Sequence, residues 1–267
     1  MERKYNTVML KKDDGIATVV MNRPERRNGL NEEMFEELIS ALEEAAGDDS
    51  TRVVILTGAG RHFSVGADMG TGPGREAILE ERDAEKVRRG LRHSHKIVDL
   101  LTRMEKPSIA MVNGIAAGGG FDWALSCDVR IAAESARFRS FTQIGLVPGQ
   151  AGAFFMVHLM GYAKACQMLF TADILNAKQA LDAGLVNTVV PDSELEAETM
   201  DVARRMSKQA PIALRLGKLL LRKGLEMSLD TSLEICAIAQ TICISSQDSQ
   251  EAIKAFREKR QPVYQGK

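Results

Sequence analysis

Short apolar runs rich in β-branched residues alternate with helix-patterned stretches through the first two thirds of the chain, and then the alternation stops. The runs are "IATVVM" (Ile16 to Met21), "VVILTG" (Val53 to Gly58), "SIAMV" (Ser108 to Val112), "VRIA" (Val129 to Ala132) and "VNTVV" (Val186 to Val190). Strands interleaved with helices mean an α/β fold. The first helix is signalled by Asn31 as its cap, by Glu32 and Glu33 in its first turn, and by an apolar stripe of Phe35, Leu38, Leu42 and Ala45. Beyond Pro191 the strands end. From Ser193 to about Lys259 the pattern is helical and charge-punctuated, and it includes the helix-favouring "IALRLGKLLLRKGLE". We therefore expect an α/β core over residues 1–192 and a helical region over 193–267 that lies on the core or on a neighbouring subunit, being too small to hide its own apolar surface. The stretch "MGTGPGREAILEERDAEK", Met69 to Lys86, reads as a flap entering a helix.

Length and charge exclude several classes of function. A chain of 267 residues fits one large core with an extension. With 35 basic and 36 acidic residues the net charge is -1, so no global field recruits nucleic acid or anionic lipid, and any anionic ligand must be held locally. The start has no apolar run like that of a secretory signal, and no segment reaches the ~18 apolar residues of a membrane span. A soluble, cytoplasmic protein is expected. Cys127, Cys166, Cys236 and Cys243 form neither a CxxC pair nor a ligand cluster with His62, His93, His95 and His158, so neither a metal nor a redox cofactor is expected, and the thiols read as reduced packing residues.

Chemistry enters at "VNGIAAGGGFDWALSCD", Val112 to Asp128, where three glycines run into an aspartate at the start of a helix. Glycine is costly in backbone entropy, and a run of it marks close approach to the backbone. A dinucleotide site does not explain it: "LTGAGRHF" puts Gly58 and Gly60 after a strand, but the third glycine of that fingerprint is missing. The small-residue turn Gly66-Ala67-Asp68 follows one strand much as Gly118-Gly119-Gly120 follows another. Two such loops facing each other would offer two backbone N–H groups to one anionic oxygen.

The motifs "MNRPERRNGLN", "FSVGAD", "KPSIAMVNGIAAGGG", "ALSCDVRIAAESARF", "AKQALDAGLVNTVVP" and "EAIKAFREKRQP" resemble, in order and approximate spacing, those of the enoyl-CoA hydratase/isomerase, or crotonase, superfamily. The resemblance spans nearly the whole chain. It implies a spiral of ββα units with a helical C-terminal trimerisation region, a homotrimer or dimer of trimers, and an acyl-CoA thioester as substrate, with coenzyme A arriving as part of that substrate. Carried over residue by residue, it puts the oxyanion hole on the N–H groups of Ala67 and Gly119. It puts acyl-CoA contacts on the backbone around Ala67 and Asp68, an adenine-side contact near Arg26 and Arg27, and a cross-subunit cation at Lys259.

Hydratases of this family use two glutamates, and this chain departs from that pattern. The first position is Asp122, one methylene shorter. The second falls on Phe141 or on Thr142 within "ARFRSFTQIGLVPGQ", depending on the side from which it is counted, and neither is a carboxylate. At a helix N-terminus Asp122 is expected to favour its ionised form by ~0.3 to 1 kcal/mol, which suits a base; its purely structural role would be to cap that helix. His95 on the preceding helix, Thr142 and Gln150 are the other residues with polar groups to offer. The expectation is an acyl-CoA enzyme that stabilises a thioester enolate, with Asp122 moving the proton. The alternatives are a decarboxylase, hydrolase or dienoyl-type isomerase with Phe141 in the second position, and a thioester-binding protein without catalysis.

Overall fold

The computed structural model describes residues 2–68, 83–224 and 226–267. The chain opens with an antiparallel meander of β1 (Glu2–Lys4), β2 (Val8–Asp13) and β3 (Ile16–Met21). Helix α1 (Glu32–Gly47) leads to β4 (Val53–Gly58), and α2 (Ala84–Arg103) leads to β5 (Ser108–Val112). Then come β6 (Ile115–Ala117), α3 (Gly119–Ser126), β7 (Val129–Ala133) and β8 (Arg137–Arg139). They are followed by α4 (Gly152–Met160), α5 (Tyr162–Thr171), β9 (Leu175–Asn176), α6 (Ala177–Asp182) and β10 (Thr188–Val190). Past Pro191 the chain continues as α7 (Leu195–Ser207), α8 (Pro211–Gly224), α9 (Leu229–Ser245) and α10 (Gln247–Glu258).

The large sheet has the order β1-β2-β3-β4-β5-β7-β10, parallel from β3 onward, and β6-β8-β9 form a small second sheet. All five expected strands are present, the last shortened to Thr188–Val190. The members of the small sheet are two or three residues long, too short to carry a period that a sequence can display. Residues 69–82 of the expected flap lie outside the described residues; Asp83 caps α2 by accepting from the N–H groups of Glu85 and Lys86.

The central strands β3, β4 and β5 are near-continuous apolar runs because both sheet faces are covered there. Val54, Leu56, Ala110 and Val112 face the core shared with α1, whose cap is Asn31 accepting from Met34 N at 3.0 Å. The buried face of α1 is Met34, Leu38, Ile39, Ala41, Leu42 and Ala45, while Phe35 is half-buried and meets Trp123 edge-on. On the opposite sheet face Ile16, Val53, Ile55, Ile109, Ile131 and Ala133 pack with Leu195 and Ala203 of α7. The first helix after Pro191 therefore shares the core of the sheet. Among the described residues no helix is long and apolar enough to cross a membrane. The loops leaving the carboxyl ends of β4 and β5 meet at one edge of this body, the end of a parallel sheet at which ligands bind.

Candidate active site

The loop after β4 is stitched to both its neighbours. Asn28 donates from Nδ2 to the carbonyls of Ala59 (2.9 Å) and His62 (2.7 Å), and Ser64 Oγ donates to Asn28 O at 2.7 Å. Ser64 N donates to Ile115 O at 3.0 Å and Ala117 N to Ser64 O at 2.9 Å, which ties this loop to β6. On its other side Leu30 N donates to Gly66 O (2.8 Å) and Asp68 N to Leu30 O (2.9 Å). In such a bridge the middle residue points its N–H away from the partner. The N–H of Ala67 accordingly faces away from Leu30 and donates to no described residue.

The second loop is the triple glycine. Gly119 is the first residue of α3, so its N–H has no acceptor within the helix. Gly118, at φ 51°, adopts a conformation that side chains rarely take, and a β-carbon there would lie 2.7 Å from the ring of Phe141. A β-carbon on Gly120 would lie 2.6 Å from Ser64 Cβ, and one on Gly66 would lie 3.3 Å from Gly118 Cα. The glycines thus let the two loops touch, with the N–H groups of Ala67 and Gly119, unpaired among the described residues, on adjoining backbone.

Asp122, in the first turn of α3, is 2 % exposed. Its Oδ2 accepts from Gln150 N at 2.9 Å, and the carboxyl also accepts from the N–H of Gly152, the first residue of α4. Burial raises its pKa to about 6 and outweighs the lowering by these two N–H groups. The expected bias toward ionisation from a helix start is thus overcome by desolvation. The carboxyl does sit at a helix N-terminus as well as on one, because it satisfies the start of α4 while belonging to α3.

The remaining polar residues are spoken for in different ways. His95 Nε2 donates to Gly149 O at 2.7 Å and ties the loop before α4 to α2. Thr142 Oγ1 donates to Leu169 O at 2.6 Å, while the ring of Phe141 lies against Gly66 and Gly118. The group bordering the glycine loops at the second position is therefore an aromatic ring, with the Arg139 guanidinium 5.7 Å from its centroid. Gln150, 6 % exposed, donates from Nε2 to Ser94 Oγ at 2.6 Å. Ser94 and Gly152 have no motif to announce them; they matter because α2 and α4 converge on Asp122.

Of the residues expected to hold coenzyme A, Asp68 pairs with Arg23 Nη2 (3.0 Å) and Arg26 Nε (3.3 Å), and Arg23 also donates to Gly29 O. This cluster lies directly after Ala67. Arg27 is exposed beside it, at φ 53°. Lys259 ends α10 in the left-handed conformation, exposed, in the C-terminal helical region.

Comparison with known proteins places this chain among relatives. The family model described as enoyl-CoA hydratase/isomerase matches residues 11–267. The chain is 36% identical over 258 residues to a crotonyl-CoA hydratase of Syntrophomonas wolfei, covering 96% of each protein. It is 34% identical over 262 residues to a 1,2-epoxyphenylacetyl-CoA isomerase of Escherichia coli, covering 96% of this chain and 97% of that one. A crystal structure of an enoyl-CoA hydratase from Bacillus anthracis superposes with a TM-score of 0.92 at 33% identity, covering 98% of this chain and 100% of that one.

Proposed function

The chain belongs to the enoyl-CoA hydratase/isomerase family, and on that premise we propose that it moves a proton on the acyl group of a coenzyme A thioester, with Asp122 as the single carboxyl that carries it. The observation behind this reading is the contact between the two loops beside Asp122: two N–H donors without described partners, on adjoining backbone, near one buried carboxyl. The thioester oxygen takes hydrogen bonds from the N–H groups of Ala67 and Gly119. Those bonds strengthen as the oxygen gains enolate charge, which is where such donors contribute most to rate. With a pKa raised to about 6, Asp122 is mostly ionised at neutral pH yet weakly so, which fits a group that takes a proton from one carbon and returns it to another. Arg26, Arg27 and the backbone at Asp68 would bind the coenzyme A portion, with Lys259 reaching it from a neighbouring subunit.

Phe141 favours proton transfer over straight-chain hydration, since an apolar ring at the second position neither activates water nor supplies a proton. Crotonyl-CoA is therefore expected to bind and to be hydrated slowly. A mass-spectrometric screen of acyl-CoA thioesters should find a substrate on which Asp122→Asn lowers kcat by ~10²- to 10⁴-fold with affinity retained. Wild-type turnover by Asp122→Asn would remove the carboxyl from the mechanism, and rapid hydration of crotonyl-CoA would show that another group replaces the missing acid.

A further inference from the structure

Gln150 carries a buried acceptor for which the described residues supply no donor. Its backbone N–H holds Asp122 Oδ2 at 2.9 Å. Its side chain then runs past the glycine loop, where a β-carbon on Gly119 would lie 3.6 Å from Gln150 Cγ, and ends with Nε2 on Ser94 Oγ at 2.6 Å. Ser94 in turn donates to Leu91 O at 2.9 Å, so the amide is anchored through its nitrogen. Oε1 is buried and has no hydrogen-bond partner among the described residues. A buried amide oxygen without a donor costs free energy, and native folds keep few of them. Gln150 thus meets the Asp122 carboxyl through its backbone N–H and lies against Gly119 with its Cγ, the two groups between which the reacting acyl carbons lie if the thioester reading above is right, and this inference rests on it.

We propose that Gln150 Oε1 is a substrate-reading acceptor that takes a hydrogen bond from an O–H group at the reacting end of the acyl chain. A purely aliphatic or aryl acyl group would leave the oxygen unpaired; one bearing a hydroxyl near the thioester would satisfy it. The same O–H chemistry has a second source in a water molecule held beside the acyl carbons. Discrimination comes from the alternative: a site built to bind a hydroxyl penalises the analogue lacking it, because its own polar group then stays buried and unpaired.

The test measures binding of 3-hydroxybutyryl-CoA and butyryl-CoA by calorimetry, with wild-type protein and with Gln150→Met, which keeps the length of the side chain and removes the acceptor. The expected result is a preference of about 3- to 10-fold for the hydroxyacyl thioester in the wild type, the size of one neutral hydrogen bond, abolished in Gln150→Met with butyryl-CoA affinity unchanged. If the donor is water, the preference is absent, and incorporation of solvent ¹⁸O into the hydroxyl of the 3-hydroxybutyryl-CoA formed from crotonyl-CoA falls in Gln150→Met instead. Ser94→Ala serves if the methionine variant does not fold: it frees the amide and should weaken the same readout partway. Binding of both thioesters with neither readout altered by the substitutions overturns this inference alone. Failure of both thioesters to bind overturns the thioester reading and this inference with it.

Discussion

Asp122 is set by two opposed electrostatic effects, and their balance is measurable. The N–H groups of Gln150 and Gly152 favour its charge, while burial disfavours it more, so its pKa rises from 3.8 to about 6. Activity that needs the carboxylate should therefore rise with an acidic limb near pH 6 in kcat/KM for the free protein, a limb that Asp122→Asn should remove. Stability follows from the same shift. Because the folded pKa is raised, the folded state holds the proton more tightly, and the stabilisation present below about pH 4 is lost as pH rises through 6. The wild type should thus lose on the order of 3 kcal/mol relative to Asp122→Asn between pH 4 and pH 7, measured by urea unfolding at both values. An equal difference at the two pH values would place the pKa near its ordinary value. Gly152 supplies the second test at this scale. Glycine to alanine in a helix ordinarily stabilises by up to about 1 kcal/mol, but a β-carbon on Gly152 would overlap Asp122 Oδ1. Gly152→Ala should instead destabilise by about 1–3 kcal/mol and depress turnover, both read on the purified variant.

At the scale of elements, one carboxylate gathers two of the cations that join α8 to the body. Asp128 follows α3 and accepts from Ser108 N (2.8 Å) and Ser108 Oγ (3.0 Å) at the start of β5. It also pairs with Lys218 Nζ at 2.7 Å and Arg222 Nη2 at 2.6 Å on α8. Burial holds the pKa of Lys218 below its ordinary value, and the charge and hydrogen bond of Asp128 oppose that shift. Removing that partner leaves Lys218 on the carbonyls of Leu101 and Lys106 and Arg222 on that of Ser126, without the opposing charge. Asp128→Ala should lower stability by about 2–3 kcal/mol in urea, below the range for fully buried pairs because the carboxylate retains some solvent contact. An unchanged urea midpoint would mean that α8 is held without this carboxylate, by its other contacts.

At the scale of the whole molecule, the helical C-terminal region leaves apolar side chains uncovered. Leu233, Ile238, Ile242 and Ile244 on α9 are exposed, as are Ile253 and Phe256 on α10, the last at 86%. An apolar surface of that kind is the mark of association. We expect three or six copies of the 29.3 kDa chain in solution at micromolar concentration, measured by light scattering, with Ile238→Asp shifting the mass downward. A wild-type monomer would show that these side chains serve another purpose.

Sequence alone determined the α/β class, the five strand runs, the Asn31 cap and the switch to helix after Pro191, because period, capping and turn chemistry act over a few residues. It also brought the two small-residue loops and Asp122 into view, since glycine runs and a lone acid after them are local signals. Only the tertiary structure decided that the ring of Phe141, and not the hydroxyl of Thr142, borders the glycine loops, because a choice between adjacent residues depends on the turn that aims them. It decided as well that Asp122 satisfies α4 and titrates high, that Gln150 lies beside it, and that Ser94 holds the Gln150 amide. Those facts come from burial and from contacts 28 and 56 residues apart, and desolvation is a property of the surroundings that no stretch of chain carries in itself.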